Sequence, residues 1–95
     1  MKNNTTNLKE ALNQLIDTYK IRGKIDQSRL KENWPKVVGP MIAKHTLNME
    51  IREEKLFIRI DSAPLRQELT YMKDQILGNV RELLGNDSIK EIVIG

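Results

Sequence analysis

Apolar residues recur along the chain with two periods, and the switches between them divide it into elements. Leu8, Leu12, Leu15, Ile16 and Tyr19 step by three or four residues, the spacing of one helical stripe. Thr5, Thr6 or Asn7 can cap this first helix, and Arg22-Gly23 reads as its stop. Asp26 reads as the N-cap of a second helix that turns Leu30, Trp34, Val37 and Val38 inward. Pro35 predicts a kink or restart there, because proline disfavours helical geometry in the residue before it. Gly39-Pro40 is a stop followed by a start, and Met41-Ile42-Ala43 makes one short helical turn before His45.

The period then drops to two. Leu47, Met49 and Ile51 alternate with polar residues, and so do Leu56, Ile58 and Ile60. Glu53-Glu54 between them predicts a tight hairpin turn, its type left open because neither Asn-Gly nor Asp-Gly is present. Ser62 is placed as an N-cap and Pro64 in the first helical turn. Leu65, Leu69, Met72, Ile76, Val80 and Leu83 form one stripe up to Gly85, which predicts a single helix of roughly 30 Å at about 1.5 Å per residue. Residues 89–94 predict a third strand, parallel to the second because a helix separates them.

The order α-α-β-β-α-β predicts one α+β domain over residues 7–95, behind a disordered tail at residues 1–6. Three strands form a sheet with helices packed against it. The order is close to that of the type II KH fold, a nucleic-acid-binding architecture whose usual signature is a Gly-x-x-Gly loop on the phosphate backbone. Gly23, Gly39, Gly78, Gly85 and Gly95 include no pair with that spacing, so the expected domain is KH-like without the clamp.

Ninety-five residues leave room for one core. The absence of cysteine excludes disulfides and thiolate zinc sites. No apolar run reaches the ~18–20 residues of a membrane span, and the polar first seven residues lack a signal-peptide core, which makes the cytoplasm the expected location. The net charge is +3, unevenly placed. Residues 20–44 carry Lys20, Arg22, Lys24, Arg29, Lys31, Lys36 and Lys44 against only Asp26 and Glu32, while the first nineteen residues balance at zero. A basic front of this kind suits a polyanion, and equally a solvated helix face with surplus lysine. Arg52, Lys55 and Arg59 extend it, and Phe57 faces opposite to Leu56 and Ile58. If helices cover only one side of the sheet, this aromatic among basic residues is a single-strand platform; if the first helix covers that side too, Phe57 is a packing residue.

The sequence offers little to an enzyme. His45 is the only histidine and has too few companions for a metal site, so it reads as a hydrogen-bonded residue at a helix–strand joint. Glu68 reads as a surface charge. No phosphate-binding Gly-rich loop of the Walker or dinucleotide type is present. No catalysis, cofactor, metal or small-molecule substrate is expected. Trp34 reads as a core anchor whose indole N–H bonds a carbonyl.

The run Trp34-x-x-Val37-Val38-Gly39-x-x-Ile42-Ala43-x-His45-Thr46 resembles the signature of the bacterial DciA-type proteins. The later pattern, Leu56-x-Ile58-x-Ile60-x-Ser62, Leu65-x-x-Glu68-Leu69 and Leu83-Leu84-Gly85, follows in the same order. The resemblance covers nearly the whole chain from Leu8 onward and marks Trp34, Gly39, His45 and Ser62 as signature residues. It implies a KH-like domain that binds DNA, single-stranded or forked, and the modest charge makes weak binding the expectation. It also implies work with the replicative helicase, a ring ATPase that must be placed on single-stranded DNA. Two classes of function stay open on the residues themselves. One is a nucleic-acid-binding module, for DNA or RNA. The other is an interaction adaptor that uses an apolar patch on the first helix, or the open sheet face, to recruit the helicase or to self-associate.

Overall fold

The computed structural model describes the backbone of residues 4–95 and side chains from residue 7 onward. The expected tail lies, for residues 1–3, outside the described residues, and the first helix, α1 (Asn4–Val38), begins at Asn4. The sequence-based break between Gly23 and Asp26 is not there: α1 is one helix of 35 residues. The physical reason is phase. Tyr19 and Leu30 lie eleven residues apart, close to three turns at ~3.6 residues per turn, so the two stripes are one. Gly23, Asp26 and Gln27 occupy the stripe positions between them. A glycine inside a helix costs about 1 kcal/mol, too little to break one whose end is held by tertiary packing. Asp26 is therefore no cap; it is buried on the stripe, 7% exposed. Pro35 is carried inside α1 on its exposed side, and no restart follows it.

Gly39 joins α1 to α2 (Pro40–Lys44) at φ 94°, ψ 156°, a conformation open to glycine and almost nothing else. β1 (Thr46–Arg52) and β2 (Lys55–Ile60) form the expected antiparallel hairpin. Its turn residues Glu53 and Glu54 both take positive φ, 52° and 65°, as a type I′ turn requires. β3 (Glu91–Ile94) pairs in parallel with β2, giving the order β1-β2-β3. β3 starts two residues later than expected, after buried Ile89.

The single long helix expected after Ser62 is two. α3 (Ala63–Tyr71) and α4 (Lys73–Leu84) are separated at Met72, whose N–H bonds the Leu69 carbonyl three residues back. In the last turn of α3, Thr70 Oγ1 donates to the Arg66 carbonyl at 2.8 Å, a back-bond of the kind that slightly destabilises helices. The caps fall where the sequence placed them. Ser62 Oγ accepts from Leu65 N–H, and Gly85 ends α4 in the left-handed region at φ 74°.

The helices cover one face of the sheet. Leu56, Ile58 and Ile60 of β2 are at most 2% exposed, and with Met49 and Ile92 they meet Leu30, Trp34, Val37, Leu69, Ile76 and Val80 from the helices. Leu47, expected on the same inner face, is 62% exposed because a register irregularity between Thr46 and Asn48 turns it out. Only the C-terminal part of α1 takes part in this core. The N-terminal half projects beyond it, and the molecule measures 63 × 21 × 20 Å.

Candidate nucleic-acid interface

The uncovered sheet face carries three rows of side chains set by the strand register. Arg52, Lys55 and Glu91 form the first, Glu50, Phe57 and Val93 the second, and Asn48 and Arg59 the third. The Arg52 guanidinium carbon lies 4.4 Å from the centroid of the Phe57 ring, a cation–π contact that half-covers the aromatic. Lys55 Nζ is 3.5 Å from Glu91 Oε2, so part of its charge is answered within the face. Arg59 has no ion-pair partner among the described residues. The face can take a base on the Phe57–Arg52 stack and a phosphate at Arg59.

The cations of α1 fall on two flanks. Lys20, Lys24 and Lys31, spaced by four and seven residues, share the flank beside the free edge of β1. There they line a groove with Tyr19, Gly23, Gln27, Ser28 and Ile51. Gln27 Oε1 accepts from the Ile51 N–H at 3.0 Å and holds helix and strand edge together at the groove floor. Lys31 also lines the adjoining cleft with Thr46, Leu47 and Asn48, and Asn48 borders the open face. A basic path therefore runs from Lys20 along β1 to Arg59. Among the described residues, none of these three lysines pairs with a carboxylate.

Arg22, Arg29 and Lys36 lie on the other flank. Arg29 Nη2 donates to the Leu83 carbonyl at 2.9 Å and answers the negative end of α4. Arg22 borders the cleft under residues 86–90. In that loop Lys90 Nζ lies 3.3 Å from Asp87 Oδ2 and holds its carboxyl below the ordinary carboxylate range, chiefly through that hydrogen bond. Lys36 is exposed in the last turn of α1, and Lys44 is exposed at the end of α2. The seven cations of residues 20–44 thus do not make one surface. Sequence reasoning missed the groove-lining Tyr19, Gln27, Ser28 and Ile51, whose signal was the uninterrupted phase of α1.

The signature residues work inside the fold. Trp34 is 4% exposed, and its Nε1 donates to Thr46 Oγ1 at 2.9 Å; that hydroxyl in turn donates to the Ile42 carbonyl at 2.8 Å. The indole partner is thus a hydroxyl, not the expected carbonyl. His45 Nδ1 lies 2.8 Å from Asp61 Oδ1, and the Asp61 N–H donates to the His45 carbonyl at 3.0 Å. That double link ties the α2–β1 joint to the β2–α3 joint. Val37, Val38 and Ile42 are buried. Among the described residues no cluster of three or more His, Cys, Asp or Glu is placed to hold a metal ion, and no helix is long and apolar enough to cross a membrane.

Comparison with known proteins adds to this geometry. A family model described as "Dna[CI] antecedent, DciA" matches residues 7–94. A UPF0232 protein of Corynebacterium glutamicum (strain R) is 40% identical over 62 residues, 65% of this chain and 35% of that protein. A UPF0232 protein of Bifidobacterium longum (strain NCC 2705) is 32% identical over 65 residues, 68% of this chain and 42% of that protein. The matched stretches thus span less than half the length of either relative.

Proposed function

The chain belongs to the DciA family, and from that premise we propose that it is a non-catalytic DNA-binding accessory of the replicative helicase, built on a KH-like fold without the Gly-x-x-Gly clamp. Such a protein acts in the cytoplasm, on DNA exposed at the start of replication. The observation that carries this reading is the path from Lys20, Lys24 and Lys31 over the β1 edge to Arg52, Phe57 and Arg59. Cations spaced along a helix track a phosphate backbone, and an aromatic stacked under a guanidinium offers sequence-tolerant stacking to bases. Family membership supports the helicase half of the reading. The small number of cations implies weak binding that needs no sequence preference.

Fluorescence anisotropy with a labelled single-stranded oligonucleotide across a salt series tests it. Affinity should fall with salt by about 0.7 in log–log slope for each phosphate engaged. Replacing Lys20, Lys24 and Lys31 together by Ala should flatten that slope by about 2. Replacing Arg22 and Lys36 on the other flank should leave it unchanged. No binding at low salt, or equal effects of the two sets, would refute the path. A parallel series with RNA and with forked DNA fixes the preferred ligand. Capture of the helicase after nuclease treatment separates a direct protein contact from bridging through DNA.

A further inference from the structure

The projecting half of α1 carries a continuous apolar stripe that nothing in the molecule covers. Leu8 is 61% exposed, Leu12 50%, Leu15 53%, Ile16 51% and Tyr19 66%. Ile21 and Ile25 are also exposed but lie on the opposite side of the helix and do not belong to it. Leu8, Leu12, Leu15 and Tyr19 are spaced four, three and four, the alternation of a coiled-coil seam, with Ala11 and Ile16 flanking it.

This pattern reads the same in both directions about a point between Asn13 and Gln14. Reversal carries Leu8 onto Tyr19, Ala11 onto Ile16 and Leu12 onto Leu15. We propose that this segment pairs antiparallel with the same segment of a second copy of the chain.

Three further features favour that occupant. Charge does not oppose it: Glu10 and Asp17 lie on the far side of the helix from the stripe, and the first nineteen residues sum to zero. Geometry selects the antiparallel sense. Paired helix axes stand about 8–10 Å apart, whereas the folded body has a cross-section near 21 × 20 Å and sits on the stripe side of α1. A parallel pair would drive the two bodies into each other just past Asp26, whereas an antiparallel pair places them at opposite ends. Area sets the strength: the five exposed residues offer on the order of 500 Å² per copy, about 1,000 Å² for the pair, at the lower edge of specific interfaces. The dimer is therefore concentration-dependent, with dissociation in the micromolar range.

Sedimentation velocity of the full chain from about 1 to about 200 μM is expected to show a shift from monomer to dimer mass. Leu12→Glu with Leu15→Glu should hold the protein monomeric throughout while leaving its urea midpoint in dilute solution unchanged, because neither residue touches the core. Orientation is read by cross-linking, since the chain has no cysteine of its own. In an oxidised mixture of Leu12→Cys and Leu15→Cys chains, the mixed disulfide should form in preference to either homodimer. A chain that stays monomeric across the range overturns the proposal, and helicase binding lost in the double glutamate variant would then assign the stripe to that partner. Homodimeric disulfides in preference to the mixed one would overturn the antiparallel sense.

Discussion

Removing the Thr46 hydroxyl tests whether Trp34 serves the fold rather than a ligand. Thr46→Val keeps the shape of the side chain at the start of β1 and deletes the atom that accepts from Trp34 Nε1 at 2.9 Å. The Ile42 carbonyl loses the threonine but keeps the His45 N–H at 3.2 Å, so the only group orphaned is the indole N–H. A buried donor left without a partner costs about 1–3 kcal/mol; with Trp34 only 4% exposed we expect about 2. Trp34→Phe removes the donor itself and part of the ring, a loss of about 2 kcal/mol from the bond and the void together. In the double variant no donor is stranded, so the combined loss should stay near 2–2.5 kcal/mol, a coupling of roughly 1.5. Urea denaturation followed by circular dichroism gives all four stabilities, and the midpoints should move without a change in slope. Additivity within about 0.5 kcal/mol would refute the hydrogen-bond chain. Loss of oligonucleotide binding by folded Thr46→Val protein would refute the structural assignment of Trp34.

Two other substitutions test the backbone. Gly39→Ala meets no atom within 4 Å, so its cost is conformational alone: at φ 94° we expect about 2 kcal/mol of destabilisation in the same urea assay, and a neutral result would contradict that geometry. Glu53→Asn with Glu54→Gly supplies the residues that a type I′ turn prefers where two glutamates now hold positive φ. The gain should be about 1 kcal/mol and the melting temperature should rise by roughly 4–8 °C, with no rise counting against the turn type.

Much of this molecule was legible in its sequence, and the parts that were not have specific causes. Period-two alternation located both strands of the hairpin, Ser62 and Gly85 marked helix ends, and Trp34 was rightly placed inside. Reading failed where local punctuation was set against long-range phase. Gly23 and Asp26 look like a stop and a cap, yet the spacing from Tyr19 to Leu30 keeps the stripe in step through them. The converse error fell at Met72, where an unbroken stripe hid a tightened turn in which the Met72 N–H bonds the Leu69 carbonyl. The charge count of residues 20–44 had magnitude but no direction. Only a continuous α1 assigns Lys20, Lys24 and Lys31 to one flank and Arg22, Arg29 and Lys36 to the other.

The inward duty of the signature has a bearing on how kinship is interpreted. Trp34, Gly39, His45 and Thr46 fasten three joints of the scaffold, and no base or phosphate is needed to explain any of them. Selection for the shape alone would keep them. Two proteins can therefore share every letter of that motif and yet greet different molecules, because whatever they greet is written on the outer skin, in positions free to drift.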